Sequence, residues 1–188
     1  DKPATKMYRT NMKNVPKVDG LKRDDGWVDM QVQFLIDKKS AGADHVVGWT
    51  VLKPGASHEQ HLHRNCDEIA VYLEGHGVVG QGNERAQVRP GHCRLMPKGS
   101  EHFFYNETKD QDGLVIGFYV GAEDVADTGY EFRGHVSRED LEMPRQDASE
   151  QADRPLLERL RKQGVVRVRH RPPRDVPRRL PVHAEIVE

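Results

Sequence analysis

The first residues able to do chemistry together are histidines. In Gly55-Ala-Ser-His-Glu-Gln-His-Leu-His63, His61 and His63 stand at i and i+2, a spacing that in an extended strand sends both imidazoles to one face. Side by side they can share one ion. A carboxylate follows at Glu68, and a further imidazole comes at His102, after Pro97-Lys-Gly-Ser-Glu. Three neutral nitrogens and one carboxylate oxygen suit Fe(II), Mn, Ni, Zn or Cu, whereas Ca and Mg would ask for more oxygen. Four protein ligands on an octahedral ion leave two positions for water, dioxygen or a bidentate substrate. A single strand histidine is commonly a surface residue or a satisfied core residue. What points to one divalent metal ion per chain is the joint occurrence of His61, His63, Glu68 and His102.

Such a set needs a rigid platform, and the surrounding sequence reads as one. From Trp27 to Tyr119 the apolar residues fall in short groups separated by Gly, Pro and Asn, the pattern of short strands joined by turns. Strands are expected at Met30 to Ile36, Val46 to Leu52, Glu68 to Glu74, His76 to Gln81, Cys93 to Met96, His102 to Asn106 and Leu114 to Val120. Chain reversals are expected at Pro54-Gly55, Gly75, Gly82-Asn83, Pro90-Gly91 and Pro97-Lys98-Gly99. Helix-length periodic segments are missing, which favours an all-β sandwich or barrel over a βαβ fold.

With these residues in view, the chain resembles the cupin family, whose two motifs are G(X)5HXH(X)3-4E(X)6G and G(X)5PXG(X)2H(X)3N. Gly55, His61, His63, Glu68 and Gly75 match the first, and Gly91, Pro97, Gly99, His102 and Asn106 match the second. The resemblance covers roughly residues 45 to 120. It implies a double-stranded β-helix (jelly-roll) barrel with metal held by His61, His63, Glu68 and His102. The family spans dioxygenases, isomerases, epimerases, lyases, decarboxylases, storage proteins and sensors, so membership leaves the reaction open. The motif glycines and prolines are expected to serve turn geometry alone.

Other residues carry weaker signals. His58 and Glu59 are placed in the turn before the ligands, where a solvated turn is the more frequent outcome than a proton shuttle. Arg64 and Asp67 fall in the loop between ligands. Cys66 reads as a buried small hydrophobe rather than a reactive thiol. Strand parity puts Phe104 and Asn106 on the face of His102, and Ala70 and Tyr72 on that of Glu68, with Arg94 and Met96 as further candidates for the cavity wall. Tyr72, Arg94 and Tyr105 are the candidates for orienting a substrate.

The expected organisation is an N-terminal arm (1–26), a barrel (27–135), and a C-terminal linker, short helix and extended tail (136–188). The helix is placed at Pro155 to Gln163 on the cap Asp153, the shared face of Leu156, Leu157 and Leu160, and Gly164 after its end. Beyond it, arginines alternate with valines and prolines; without interleaved aromatics, a solvated or subunit-packing arm is the expected role rather than nucleic-acid binding. The 29 Lys and Arg nearly cancel the 30 Asp and Glu, which leaves no bulk field for a nucleic acid or membrane partner. Two cysteines, Cys66 and Cys93, make no disulfide framework. The first sixteen residues hold no apolar leader segment and nowhere do eighteen apolar residues run together, so a cytoplasmic protein is expected. Open sheet edges, with Met7 to Val18 and Val165 to His170 available to cover one in a neighbouring subunit, favour a homodimer. The leading expectation for function is an Fe(II) dioxygenase acting on a small phenol, hydroxyketone or diketone, with Mn, Ni or Zn as alternative metals. Non-redox isomerase, lyase or hydrolase chemistry, and small-molecule sensing without turnover, are the other classes.

Overall fold

Among the described residues, nine strands form where inward and outward side chains alternate between turn-forming residues. In the computed structural model, which describes residues 6–18 and 21–146, they are β1 (Trp27–Ile36), β2 (His45–His63), β3 (Asp67–Glu74), β4 (Gly77–Gln81), β5 (Glu84–Val88), β6 (Cys93–Met96), β7 (His102–Asn106), β8 (Gly113–Val120) and β9 (Tyr130–Gly134). Two short helices, α1 (Lys38–Ala41) and α2 (Arg138–Glu142), each start on a capping box, Asp37 with Ser40 and Ser137 with Asp140. There the cap side chain and the third helical residue satisfy each other's free N–H groups.

The strands hydrogen-bond in the order β5-β4-β7-β2-β8-β3-β6, with β1 and β9 also on β2. The key to the curl is β2. Its first half, His45 to Leu52, pairs with β8, while Ser57 to His61 pairs with β7 and Gln60 to His63 with β9. One strand thus belongs to both walls of a jelly-roll barrel. The reversal expected at Pro54-Gly55 is instead a bend within β2, made possible by the positive φ of Gly55, 73°. β1 follows the bend through a bulge at Asp29, its register passing from Val28↔Ser57 to Met30↔Leu52.

The core lies between the walls. Met30, Val32, Leu52, Ala56, Val79, Val88, Met96 and Phe104 form its larger cluster, and Val46, Cys66, Tyr119 and Ala122 a smaller one. Each fully buried Leu or Phe contributes about 1.5–3 kcal/mol. β5 has no signal in the alternation of apolar residues, because Glu-Arg-Ala-Gln-Val is mostly polar. It forms because Arg85 lays its guanidinium over the Phe103 ring, 5.0 Å from the centroid, and pairs with Asp140 of α2.

Residues 136–146, expected as a polar linker, are docked on the barrel. The Val136 N–H donates to the Glu59 carboxylate, Arg145 pairs with Glu107 at 2.7 Å, and the Gln146 N–H donates to the Arg85 carbonyl at 2.8 Å. The N-terminal segment runs beside β1 of its own chain, with the Val18 N–H on the Val32 carbonyl and the Gln33 amide on the carbonyls of Met12 and Val15. The expected helix at Pro155 to Gln163 and the basic tail lie outside the described residues. Among the described residues no helix is long and apolar enough to cross a membrane.

Candidate metal centre

His61 and His63 come from the end of β2, Glu68 from the start of β3 and His102 from the start of β7. Their backbones are tied together by the Pro97-Lys98-Gly99-Ser100 turn. The Gly99 N–H donates to the His63 carbonyl at 2.7 Å and the Lys98 N–H to Asp67 Oδ1 at 2.8 Å. Gly99 has φ 77°, a value that favours glycine. Asp67 therefore positions the turn that leads into His102.

All four side chains are buried, and one ligand atom from each lies within 4.8 Å of the others. Glu68 Oε2 is 3.0 Å from His102 Nε2, 3.2 Å from His63 Nε2 and 3.9 Å from His61 Nε2. The outer ring nitrogens set the tautomers. His61 Nδ1 is 2.6 Å from the Glu59 carbonyl and His102 Nδ1 is 2.9 Å from that of Ser100. A carbonyl only accepts, so both Nδ1 atoms carry the proton and both Nε2 lone pairs face inward. His61 Nε2 and His63 Nε2 are buried without a hydrogen-bond partner, a cost that folded proteins tolerate where something satisfies the atoms.

The electrostatics agree. Burial, followed by the neighbouring His102, lowers the His61 pKa to about 4, which keeps the ring neutral. Burial pushes Glu68 up, but the imidazoles of His102, His61 and His63 outweigh it and hold the carboxyl well below its ordinary range. With Nδ1 of His102 protonated, its Nε2 and the Glu68 oxygen are both acceptors, and only a shared proton or cation makes so close an approach favourable. Three inward Nε2 atoms, two of them with their lone pairs fixed by the Nδ1 contacts, and one carboxylate are the donor set that a divalent transition metal takes. These residues fit one.

Beside the cluster the barrel encloses about 490 Å³ including its open mouth, walled mainly by apolar and aromatic side chains. Ala70, Tyr72, Arg94, Met96 and Phe104 line it, as strand parity requires. Tyr105 does not. Phe104 points inward, so its neighbour turns outward, beside Gly55 at the bend of β2. Asn106 is also off the wall. Its Nδ2 donates to the carbonyls of Leu52, Lys53 and Gln111, and its Oδ1 accepts from Thr108, which locks the β2 bend to the loop after β7.

His58 is not in a turn. It sits on β2 opposite Phe104, lines the cavity, and stacks on His61 with ring centroids 3.7 Å apart, its Nε2 buried and unpartnered. Burial and the neighbouring His61 hold its pKa well below the ordinary histidine value. Glu59 faces away from the cavity and accepts from Ser57 and Val136. Arg64 is exposed and pairs with Glu131. Cys66 is core, its thiol pushed up to about 12 by burial and then by Glu68. Both cysteines are free thiols.

Trp27, Tyr119 and Tyr130 were not anticipated. Tyr119 packs edge-on against His63, and Tyr130 lies over His61 at 5.1 Å with its hydroxyl donating to the Asp25 carbonyl. Tyr119 shares parity with Val115 and Gly117, a signal present in the sequence. Trp27 and His58 have none, because bulges at Asp29 and between His58 and His61 break the alternation.

Residues 48–116 match the family model described as a cupin domain. Oxalate oxidase GF-2.8 of Triticum aestivum and oxalate oxidase 2 of Hordeum vulgare are each 32% identical over 73 residues, 35% of this chain and 33% of theirs. The chain thus spans about a third of the length of the curated relatives it matches. Among solved structures, a cupin-like protein from Thermotoga maritima superimposes with a TM-score of 0.55 at 19% identity, over 68% of this chain and 93% of that one. The polyketide cyclase RemF from Streptomyces resistomycificus does so with 0.55 at 21%, over 74% and 95%.

Proposed function

From a barrel that is a cupin domain, with three imidazoles and one carboxylate converging at its mouth, we propose a metal-dependent enzyme acting on a small substrate that presents oxygen atoms to the centre. The observation that carries this reading is the pair of buried, unpartnered Nε2 atoms on His61 and His63, aimed with His102 and Glu68 at one point beside a cavity. Fe(II) is the proposed ion and dioxygen cleavage of a phenol, hydroxyketone or diketone the proposed reaction. When bound, Fe(II) would supply a Lewis acid with redox chemistry towards dioxygen; Mn, Ni or Zn would supply the first. The chain's own part is positioning. The Glu59 and Ser100 carbonyls fix the rings of His61 and His102, the apolar wall excludes water, and Tyr72, Arg94 and His58 present polar atoms to a bound molecule. The name polyketide cyclase among the similar structures keeps non-redox chemistry as the second reading, whereas the name oxalate oxidase agrees with a redox centre.

Elemental analysis of protein purified without added metal, then anaerobic Fe(II) loading and oxygen-electrode assays on phenols and hydroxyketones, tests the proposal. Iron near one per chain with substrate-dependent oxygen uptake supports the dioxygenase. Zinc, manganese or nickel with product formation and no oxygen uptake moves the reading to Lewis-acid chemistry. Metal without any turnover leaves a sensor. A small-molecule partner, a cytoplasmic setting and a homodimer belong to the same proposal.

A further inference from the structure

Arg94 is the one Lys or Arg on the cavity wall among the described residues. On β6 it stands opposite Ala70, while Met96 stands opposite Glu68, so the position lies two residues, about 7 Å, along the sheet from the carboxylate of the centre. Its side chain crosses the barrel, with Nη1 donating to the Phe103 carbonyl at 3.2 Å and Nη2 to that of Gly80 at 3.1 Å. The Nε–H is buried and has no acceptor. No carboxylate among the described residues pairs with this guanidinium, in contrast to Arg85, the other deeply placed arginine, which has Asp140. Tyr72, two residues beyond Ala70 on β3, lines the same wall, and burial raises its pKa while the nearby Arg94 acts to lower it. Its hydroxyl therefore stays protonated and can donate.

A cation held in an apolar cavity without a counter-charge is costly, and a carboxylate meeting the guanidinium removes that cost. Arginine presents paired N–H donors that suit a carboxylate better than a neutral group. We propose that Arg94 and Tyr72 form an anion subsite, so that the substrate is a small organic acid: its carboxylate rests on Arg94 and an oxygen at its other end faces His61, His63, Glu68 and His102. The proposal rests on reading those four residues as the reaction centre.

The test is calorimetric binding of 4-hydroxybenzoate and of its neutral analogue 4-hydroxybenzamide to the zinc-loaded protein, in which no turnover with dioxygen interferes. The wild type is expected to bind the acid about tenfold more tightly than the amide, the scale of one charge-assisted contact. Arg94→Gln should equalise the two by weakening the acid more than the amide while zinc stoichiometry stays at the wild-type value, and retained zinc stoichiometry also shows that the barrel is folded. Tyr72→Phe should lose part of the preference. Equal binding of the two by the wild type, or of neither, overturns the subsite, and does so even where Arg94→Gln fails to fold. A preference that survives Arg94→Gln assigns the carboxylate to the metal and also overturns it. Zinc retained at full stoichiometry by His61→Ala would instead sink the reading of the centre, leaving an Arg94-dependent preference intact.

Discussion

His61 and His102 are each held from behind by a backbone carbonyl, so their Nε2 atoms are aimed before any ion arrives. Removing either ring deletes a ligand and leaves the remaining three misbalanced. His61→Ala or His102→Ala is expected to weaken metal affinity by more than about 100-fold, since changes one layer further out already cost 10–100-fold. The barrel should stay folded by circular dichroism, and wild-type metal stoichiometry in either variant would refute the ligand set. The same burial sets a pH dependence. Folding lowers the His61 pKa from 6.5 to about 4, so between those values the unfolded chain binds a proton that the folded chain does not. Stability of the metal-free protein therefore falls as pH drops from about 6.5 through about 4. Glu68, held below its usual range, adds loss in the same direction once it too must protonate. Melting of chelator-treated protein at successively lower pH should show a falling Tm; a rise on acidification would contradict the assignment.

At the level of elements, the second motif does two jobs. Its proline-glycine turn binds back onto His63 and Asp67, and its asparagine, Asn106, knots the bend of β2. Asn106→Ala would leave the buried Leu52 carbonyl, the partly buried carbonyls of Lys53 and Gln111, and Thr108 without their partner, at a cost of about 2 kcal/mol. Urea unfolding should show this loss with metal stoichiometry unchanged, and a neutral effect would remove the knot. The elements legible in advance were those whose alternation is unbroken. β6 and β7 match their expected bounds, and β3, β4 and β8 differ by a residue. β5 was hidden because an arginine's stem takes a place that an apolar residue would mark. The bend of β2 was hidden because Pro54-Gly55 signals a turn as readily as a kink.

Over the whole molecule, the outward side of β3, β6 and β8 is unusually apolar. Leu73, Leu95 and Val120 are exposed, and Ile69, Val71, Ile116 and Phe118 half-buried, on strands that are hydrogen-bonded neighbours. Contiguous patches of this kind commonly mark an interface, and a symmetric pair would cover one on each copy. The proposed homodimer is expected to use this face, with about 800 Å² buried per partner. Light scattering should give twice the chain mass for the wild type and the chain mass for Phe118→Glu. A monomeric wild type would remove the dimer.

By itself, the sequence determined the strand-rich barrel and the four convergent residues. Spacing within a strand and turn chemistry are local, and His61, His63, Glu68 and His102 fall at fixed offsets from glycines and prolines that any reader of the chain can see. Tertiary structure decided which further groups stand around them. It took His58 out of a turn and stacked it on His61, turned Tyr105 away from the cavity, and gave Asn106 to the frame. It also left Arg94 on the wall without a counter-charge. Those outcomes depend on bulges, on the bend of β2 and on which strand crosses which, and none of these is encoded in the period-two alternation of a single strand.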